Sequence, residues 1–192
     1  MIKVVETLKA NSCSRVIDMG CGSGALVKEL MKEGQFTQIL GVDVSTNALK
    51  KAQARLNYDE LPELQKERLA FIQGSLVYQD KRFQGFHAIA LVEVLEHIET
   101  ERLPAVERIL FEFAKPHTII LTTPNKDYNQ CIERLGEQRL RHSDHRFEWS
   151  AREFQEWAGR MADRYGYNVR FEDIGKVNDR SIAPTQMGVF SR

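Results

Sequence analysis

The chain has 192 residues, 42% of them hydrophobic and 28% charged, a length and balance that fit one soluble domain with its own core and leave little room for two. Lys plus Arg and Asp plus Glu stand at 27 each, so the net charge is zero and wrapping of long nucleic-acid stretches is disfavoured. The three cysteines show no CxxC spacing, and no apolar run has the length of a membrane span; Cys13, Cys21 and Cys131 therefore read as reduced thiols, and a cytoplasmic protein is expected.

Strands and helices alternate along the chain. Residues 15–18 are a short apolar strand, and residues 24–33 a helix with Leu26, Val27, Leu30 and Met31 on one face. A buried strand is expected over 39–44. Ser45 caps a helix running to Asn57, whose stripe is Ala48, Leu49, Ala52 and Leu56. Strands follow at 69–73 and 88–92, then a helix over 100–114 that tolerates Pro104 in its first turn, and a fifth strand at 118–122. Residues 126–146 are polar and read as a long loop or irregular helix. A helix at 149–165 and strands at 168–174 and 187–190, the last antiparallel, complete the pattern. The expected fold is α/β: a doubly wound, mostly parallel seven-stranded sheet with one antiparallel strand near the C-terminus. Residues 1–192 form one domain in this reading, with a polar insertion around 126–148.

Chemistry concentrates in three places. Gly20, Gly22 and Gly24 lie between the first strand and the first helix after it, where glycine permits a tight turn and close ligand approach. Gly20, Gly22 and Ala25 also satisfy a relaxed dinucleotide fingerprint, G-x-G-x-x-A. Asp43, at the end of the second strand, is placed to accept two ribose hydroxyls. Asp18 sits beside the turn, where an acid would repel a pyrophosphate and suit a cationic ligand such as an amino-acid ammonium. This combination resembles motif I and the ribose acid of class I S-adenosylmethionine-dependent methyltransferases, over Arg15 to about Thr123. The resemblance implies S-adenosyl-L-methionine as cofactor, with Ser75 and Leu76 flanking its adenine; many members carry an acid where Ser75 stands, and Asp80 is a candidate substitute.

The second place is Glu93-Val94-Leu95-Glu96-His97, whose i, i+3, i+4 spacing puts Glu93, Glu96 and His97 on one face of a helical turn. Small-molecule methyltransferases resemble this run with side chains that only line the cleft. The third place is Asp144-His145-Arg146-Phe147-Glu148-Trp149, a loop histidine beside an aromatic anchor, with Asp144 or Glu148 available to orient the imidazole. His142 lies nearby, and periodicity does not choose between the two histidines. Two carboxylates and two imidazoles without a thiolate form a ligand set for a hard or borderline divalent ion, better suited to Mn²⁺ than to Mg²⁺.

Glu93-x-x-Glu96-His97, Thr123-Pro124-Asn125 and Asp144-His145-Arg146-Phe147-Glu148-Trp149 together resemble the Hen-type RNA 3′-terminal ribose 2′-O-methyltransferases. Ser75–Arg82 and Pro184–Phe190 extend the likeness to nearly the whole chain. The resemblance implies that Glu93, Glu96, His97 and His145 are the catalytic and metal-holding residues, and that the ion contacts the 2′ and 3′ hydroxyls of the terminal nucleotide of a small or cleaved RNA. It implies an RNA 3′ end as partner, and an RNA end-healing and ligation enzyme reached through a region outside these 192 residues. The domain itself is expected to be monomeric and off the membrane. Lys126, Arg134, Arg139, Arg141 and Arg146 would grip the last phosphates, with Asn125 and Tyr128 against the terminal nucleotide. A metal-free small-molecule O-methyltransferase, a nicotinamide-dependent oxidoreductase and a non-catalytic binding module are the competing readings; Asp18 argues against the second of these.

Overall fold

The computed structural model describes residues 1–132, 140–175 and 182–192. Seven strands form one sheet: β1 (Arg15–Met19), β2 (Gln38–Asp43), β3 (Leu69–Gln73), β4 (Ala88–Val92), β5 (Thr118–Pro124), β6 (Asn168–Ile174) and β7 (Thr185–Ser191). Their spatial order is β3-β2-β1-β4-β5-β7-β6, and β7 is the one strand that runs opposite to the others. The expected doubly wound sheet with one antiparallel strand is therefore the observed one.

Side-chain alternation along the strands divides the core into two layers. Ile17, Ile89, Leu91, Ile119 and Leu121 face one side, with α5 (Leu103–Glu107), the π-helical turn Arg108–Ala114 that continues it, and α6 (Ala151–Tyr165). Val16, Ile39, Ala88, Ala90 and Ile120 face the other, under α1 (Ile2–Ala10), α2 (Ala25–Met31) and α3 (Thr46–Arg55). A short helix, α4 (Glu63–Lys66), precedes β3. Both faces are covered, which is why the central strands read as continuous apolar runs.

Helix ends follow the capping expectations in two places. Ser45 Oγ accepts from the Ala48 amide at 3.2 Å and starts α3. Ser150 and Glu153 form a reciprocal capping box, so α6 begins at Ala151, two residues later than expected, and Trp149 stays in the preceding loop. The single helix expected over 100–114 is a 3₁₀ turn, then α5, then the π turn, with Pro104 in the first turn of α5. α1 was not expected; it buries Val4, Val5, Thr7 and Leu8. No helix among the described residues is long and apolar enough to cross a membrane.

The strand order reverses between β1 and β4. Loops leaving the carboxyl ends of those two strands diverge around a crevice, the position at which open α/β sheets hold ligands. The glycine turn leaves β1 there and Glu93 leaves β4.

Candidate active site: a cofactor cleft joined to a carboxylate–imidazole cluster

A cleft of about 550 Å³ opens at this switch point, lined among others by Gly20, Gly22, Asp43, Ser75, Leu76, Glu93 and His97. The glycine turn is shaped by its backbone. Gly20 sits at φ +77°, and a Cβ there would stand 2.7 Å from Val94 Cγ2. Gly24 takes φ +75° as the N-cap of α2, and a Cβ there would meet Ala52 Cβ at 2.9 Å. Gly20 thus lets the β4 loop close over the turn, and Gly24 lets α3 pack against it.

Asp43 braces this turn. Its Oδ2 accepts from the Gly22 amide and its Oδ1 from the Ser45 amide, each at 2.8 Å. Lone pairs remain on both oxygens for further donors. Asp18 is buried under the turn and does not line the cleft. Burial pushes its pKa up to about 7, opposed by the Val27 backbone amide and reinforced by Asp43. Its Oδ2 has no hydrogen-bond partner among the described residues, an orphaned acceptor that suits a cationic donor. Ser75 lines the cleft and its Oγ accepts from the Val77 amide at 3.3 Å. Asp80 is held by Arg82, both oxygens within 3.0 Å of the guanidinium, and lies outside the cleft lining.

Glu93 follows β4 in the left-handed region at φ +55°, and Leu95–His97 is a 3₁₀ turn. The regular helical turn expected for Glu93, Glu96 and His97 is therefore not formed. The positive φ breaks it, and the β4–β5 pairing holds the break: the Glu93 amide donates to the Thr122 carbonyl at 3.1 Å, and Thr122 Oγ1 donates to Glu93 Oε1 at 2.9 Å. Glu96 is fully buried. Its Oε2 accepts from Thr123 Oγ1 at 3.3 Å, while Oε1 has no partner among the described residues.

His145 reaches the same place from the other side of the insertion. Its backbone is tied in by the Arg146 amide, which donates to the Glu96 carbonyl at 2.7 Å. Its Nδ1 lies 2.6 Å from Glu148 Oε1. Behind it, Phe147 packs on Trp149 at 4.7 Å between ring centres, and Trp149 stacks on Trp157 at 5.0 Å. The aromatic anchor is thus real, and Glu148 orients the imidazole. Asp144 instead pairs with His142 and lies 3.5 Å from His97 Nδ1.

Glu96, His97 and His145 each present one donor atom, all within 4.8 Å of one another. Glu93 falls outside that group of three, but its charge is felt there. Burial, then the Glu93 charge, pushes the Glu96 pKa up to about 8. Burial also raises Glu93, against the Thr122 hydroxyl and the Arg141 and His145 charges. Burial alone would raise Glu148 as well, yet hydrogen bonds from Asn129, the Arg141 amide and His145 hold it below the usual carboxylate range. Two raised carboxyls, an orphaned buried oxygen and two converging imidazoles fit a divalent cation, which would relieve all three at once.

The basic residues of the insertion divide differently from the expectation. Arg141 is spent inside the protein: Nε donates to Asn129 Oδ1 at 2.6 Å, Nη1 to the Pro184 carbonyl at 2.5 Å, Nη2 to the Asn125 carbonyl, and the guanidinium lies over the Tyr128 ring. Asn125 is likewise buried, with Oδ1 capping the Asp127 amide at 3.0 Å. Lys126 is exposed, and Arg146 is exposed beside Glu99 at 2.9 Å. Arg134 and Arg139 lie outside the described residues.

A methyltransferase domain model matches residues 2–170. The crystal structure of the methyltransferase domain of bacterial CtHen1 superposes with a TM-score of 0.90 at 48% identity, covering 99% of this chain and 96% of that one. This chain is a Hen-type class I S-adenosylmethionine-dependent methyltransferase. The small RNA 2′-O-methyltransferase of Tetrahymena thermophila is 36% identical over 177 residues, covering 86% of this chain and 42% of that protein. The one from Rattus norvegicus is 32% identical over 186 residues, covering 93% and 46%. The Hen-type chain thus spans less than half the length of these two curated relatives.

Proposed function

We propose that this Hen-type domain transfers the methyl group of S-adenosyl-L-methionine to the 2′-hydroxyl of the 3′-terminal nucleotide of a small or cleaved RNA, with one divalent ion held by Glu93, Glu96, His97 and His145. One observation carries the reading: His145, oriented by Glu148, converges with Glu96 and His97 beside the cleft that Asp43 and the glycine turn define. A cofactor cleft alone would serve any member of the fold; a carboxylate–imidazole cluster adjoining it calls for a substrate group that a cation can hold.

In this reading Asp43 accepts the cofactor's ribose hydroxyls, Ser75 and Leu76 border its adenine, and Asp18 acts on its ammonium from beneath the glycine turn, outside the cleft lining. When bound, the divalent ion would lower the pKa of a hydroxyl and orient a vicinal diol. The chain's part is positioning: the β4 and β5 ends fix Glu93 and Glu96, and the insertion brings His145 over them. Mn²⁺ is favoured over Mg²⁺ because two of the four donors are nitrogen. A vicinal diol exists only at an RNA 3′ end, so residues that hold an ion here would also restrict the substrate to such ends. Lys126 and Arg146 are the described cations available to the terminal phosphates. The setting is a reducing, cytoplasmic compartment, and an RNA end-healing and ligation enzyme is the expected macromolecular partner.

Periodate cleaves vicinal diols, so methylated RNA should resist periodate oxidation while untreated RNA is shortened by one nucleotide after elimination. RNA that stays sensitive after incubation with the protein, cofactor and Mn²⁺ would overturn the proposal.

A further inference from the structure

The Glu148 side chain is completely buried and each of its oxygens is engaged. Oε1 faces His145 Nδ1 at 2.6 Å and accepts the Arg141 amide at 2.7 Å; Oε2 accepts Asn129 Nδ2 at 2.6 Å. Asn129 Oδ1 accepts Arg141 Nε, also at 2.6 Å. The Asn129 amide therefore has one orientation only, since its nitrogen must meet a carboxylate and its oxygen a guanidinium. Arg141 is fastened in turn to the carbonyls of Asn125 and Pro184. Those two carbonyls flank the paired ends of β5 and β7, where Pro124 lies opposite Thr185. A continuous chain of hydrogen bonds thus runs from the rigid sheet through Arg141, Asn129 and Glu148 to His145.

A carboxylate accepts and does not donate, so His145 meets Glu148 with a proton on Nδ1, and in the neutral ring, the form that can ligate a metal, Nε2 is then bare. A glutamate held only at the oxygen facing the imidazole would be free to rotate about its terminal torsion, and the histidine would lose both its orientation and its tautomer. We propose that Asn129 and Arg141 are positioning residues: they fix Glu148 so that His145 carries its proton on Nδ1 and presents a bare Nε2 to the ion. This inference rests on the metal-site reading only for the identity of what Nε2 meets. It also gives the polar insertion a task besides contacting substrate. Arg141, whose charge invites assignment to RNA, acts through Asn129 on the candidate metal ligand.

The test uses the metal-free 192-residue chain first. Nitrogen-detected NMR of the imidazoles at neutral pH should show His145 protonated at Nδ1 in the wild type. Asn129→Leu, which removes the amide's bonds to Glu148 and Arg141 at similar volume, should give a mixture of tautomers. Asn129→Asp keeps the acceptor for Arg141 but loses the donor to Glu148, and should shift the proton as well; it serves if the leucine variant fails to fold. Mn²⁺ binding followed by titration should weaken about 10- to 100-fold in either variant, with S-adenosylmethionine affinity unchanged. A wild-type tautomer preserved in a folded variant would overturn the inference. A tautomer shift in a chain whose wild type binds no Mn²⁺ would support the positioning of His145 and sink the metal reading instead.

Discussion

Asp18 offers a test of the site that needs neither metal nor substrate. Burial holds its pKa near 7, against 3.8 for an ordinary aspartate. Between those values the folded chain binds the proton more tightly than the unfolded chain does. Stability from this group is therefore greatest below pH 4, falls as pH rises from 4 to 7, and is level above. Roughly three pH units at about 1.4 kcal/mol each give about 4 kcal/mol of stability lost across that window. Asp18→Asn does not titrate. The difference in unfolding free energy between variant and wild type should thus change by about 4 kcal/mol in the variant's favour between pH 4 and pH 8. Urea denaturation at half-unit pH steps measures it. Saturating S-adenosylmethionine should flatten the wild-type curve, because a cationic group brought near Asp18 lowers its folded pKa. Parallel curves for wild type and variant would refute the reasoning, since they would mean that Asp18 is charged at no cost in the folded chain.

Three further outcomes follow from the geometry. His145→Ala and Glu96→Ala should each abolish methyl transfer to RNA while calorimetry shows normal cofactor affinity; a His145→Ala chain that keeps its rate refutes the ligand assignment. Gly20→Ala should destabilise the chain by about 2 kcal/mol in urea, because it places a Cβ at positive φ and against Val94. Ser150→Ala breaks the capping box of α6 and should cost about 1 kcal/mol, read as a melting-temperature drop of about 2–4 °C.

Most of the framework was legible because it depends on local pattern. β3 and β4 fall where their apolar runs place them, and Ser45 caps α3 as its position implies. The glycine turn and Asp43 could be picked out from the strand–glycine–helix succession, while Ser75 and Leu76 rested on the family resemblance. What escaped depends on contacts remote in sequence. Glu93 was expected on a helical turn because spacing was the only guide, whereas its positive φ is imposed by pairing with Thr122, 29 residues away. Arg141 read as a surface cation; that it is consumed by Asn125, Asn129 and Pro184 emerges only once β5, the insertion and β7 meet. Periodicity left His142 and His145 alike and the resemblance named His145; the structure adds that buried Glu148 orients His145, while His142 pairs with exposed Asp144. α1 carries a sequence signal of its own, in the helical spacing of Val4, Val5 and Leu8.

The central claim is that a cation held by this cluster selects a terminal diol. Transfer of labelled methyl from S-adenosylmethionine to matched RNAs ending in a 3′-hydroxyl or a 3′-phosphate, with Mn²⁺ or with chelator, tests it most directly. Label should enter only the 3′-hydroxyl RNA, and only with the metal present. Equal labelling of the two RNAs, or full activity in chelator, would contradict the account.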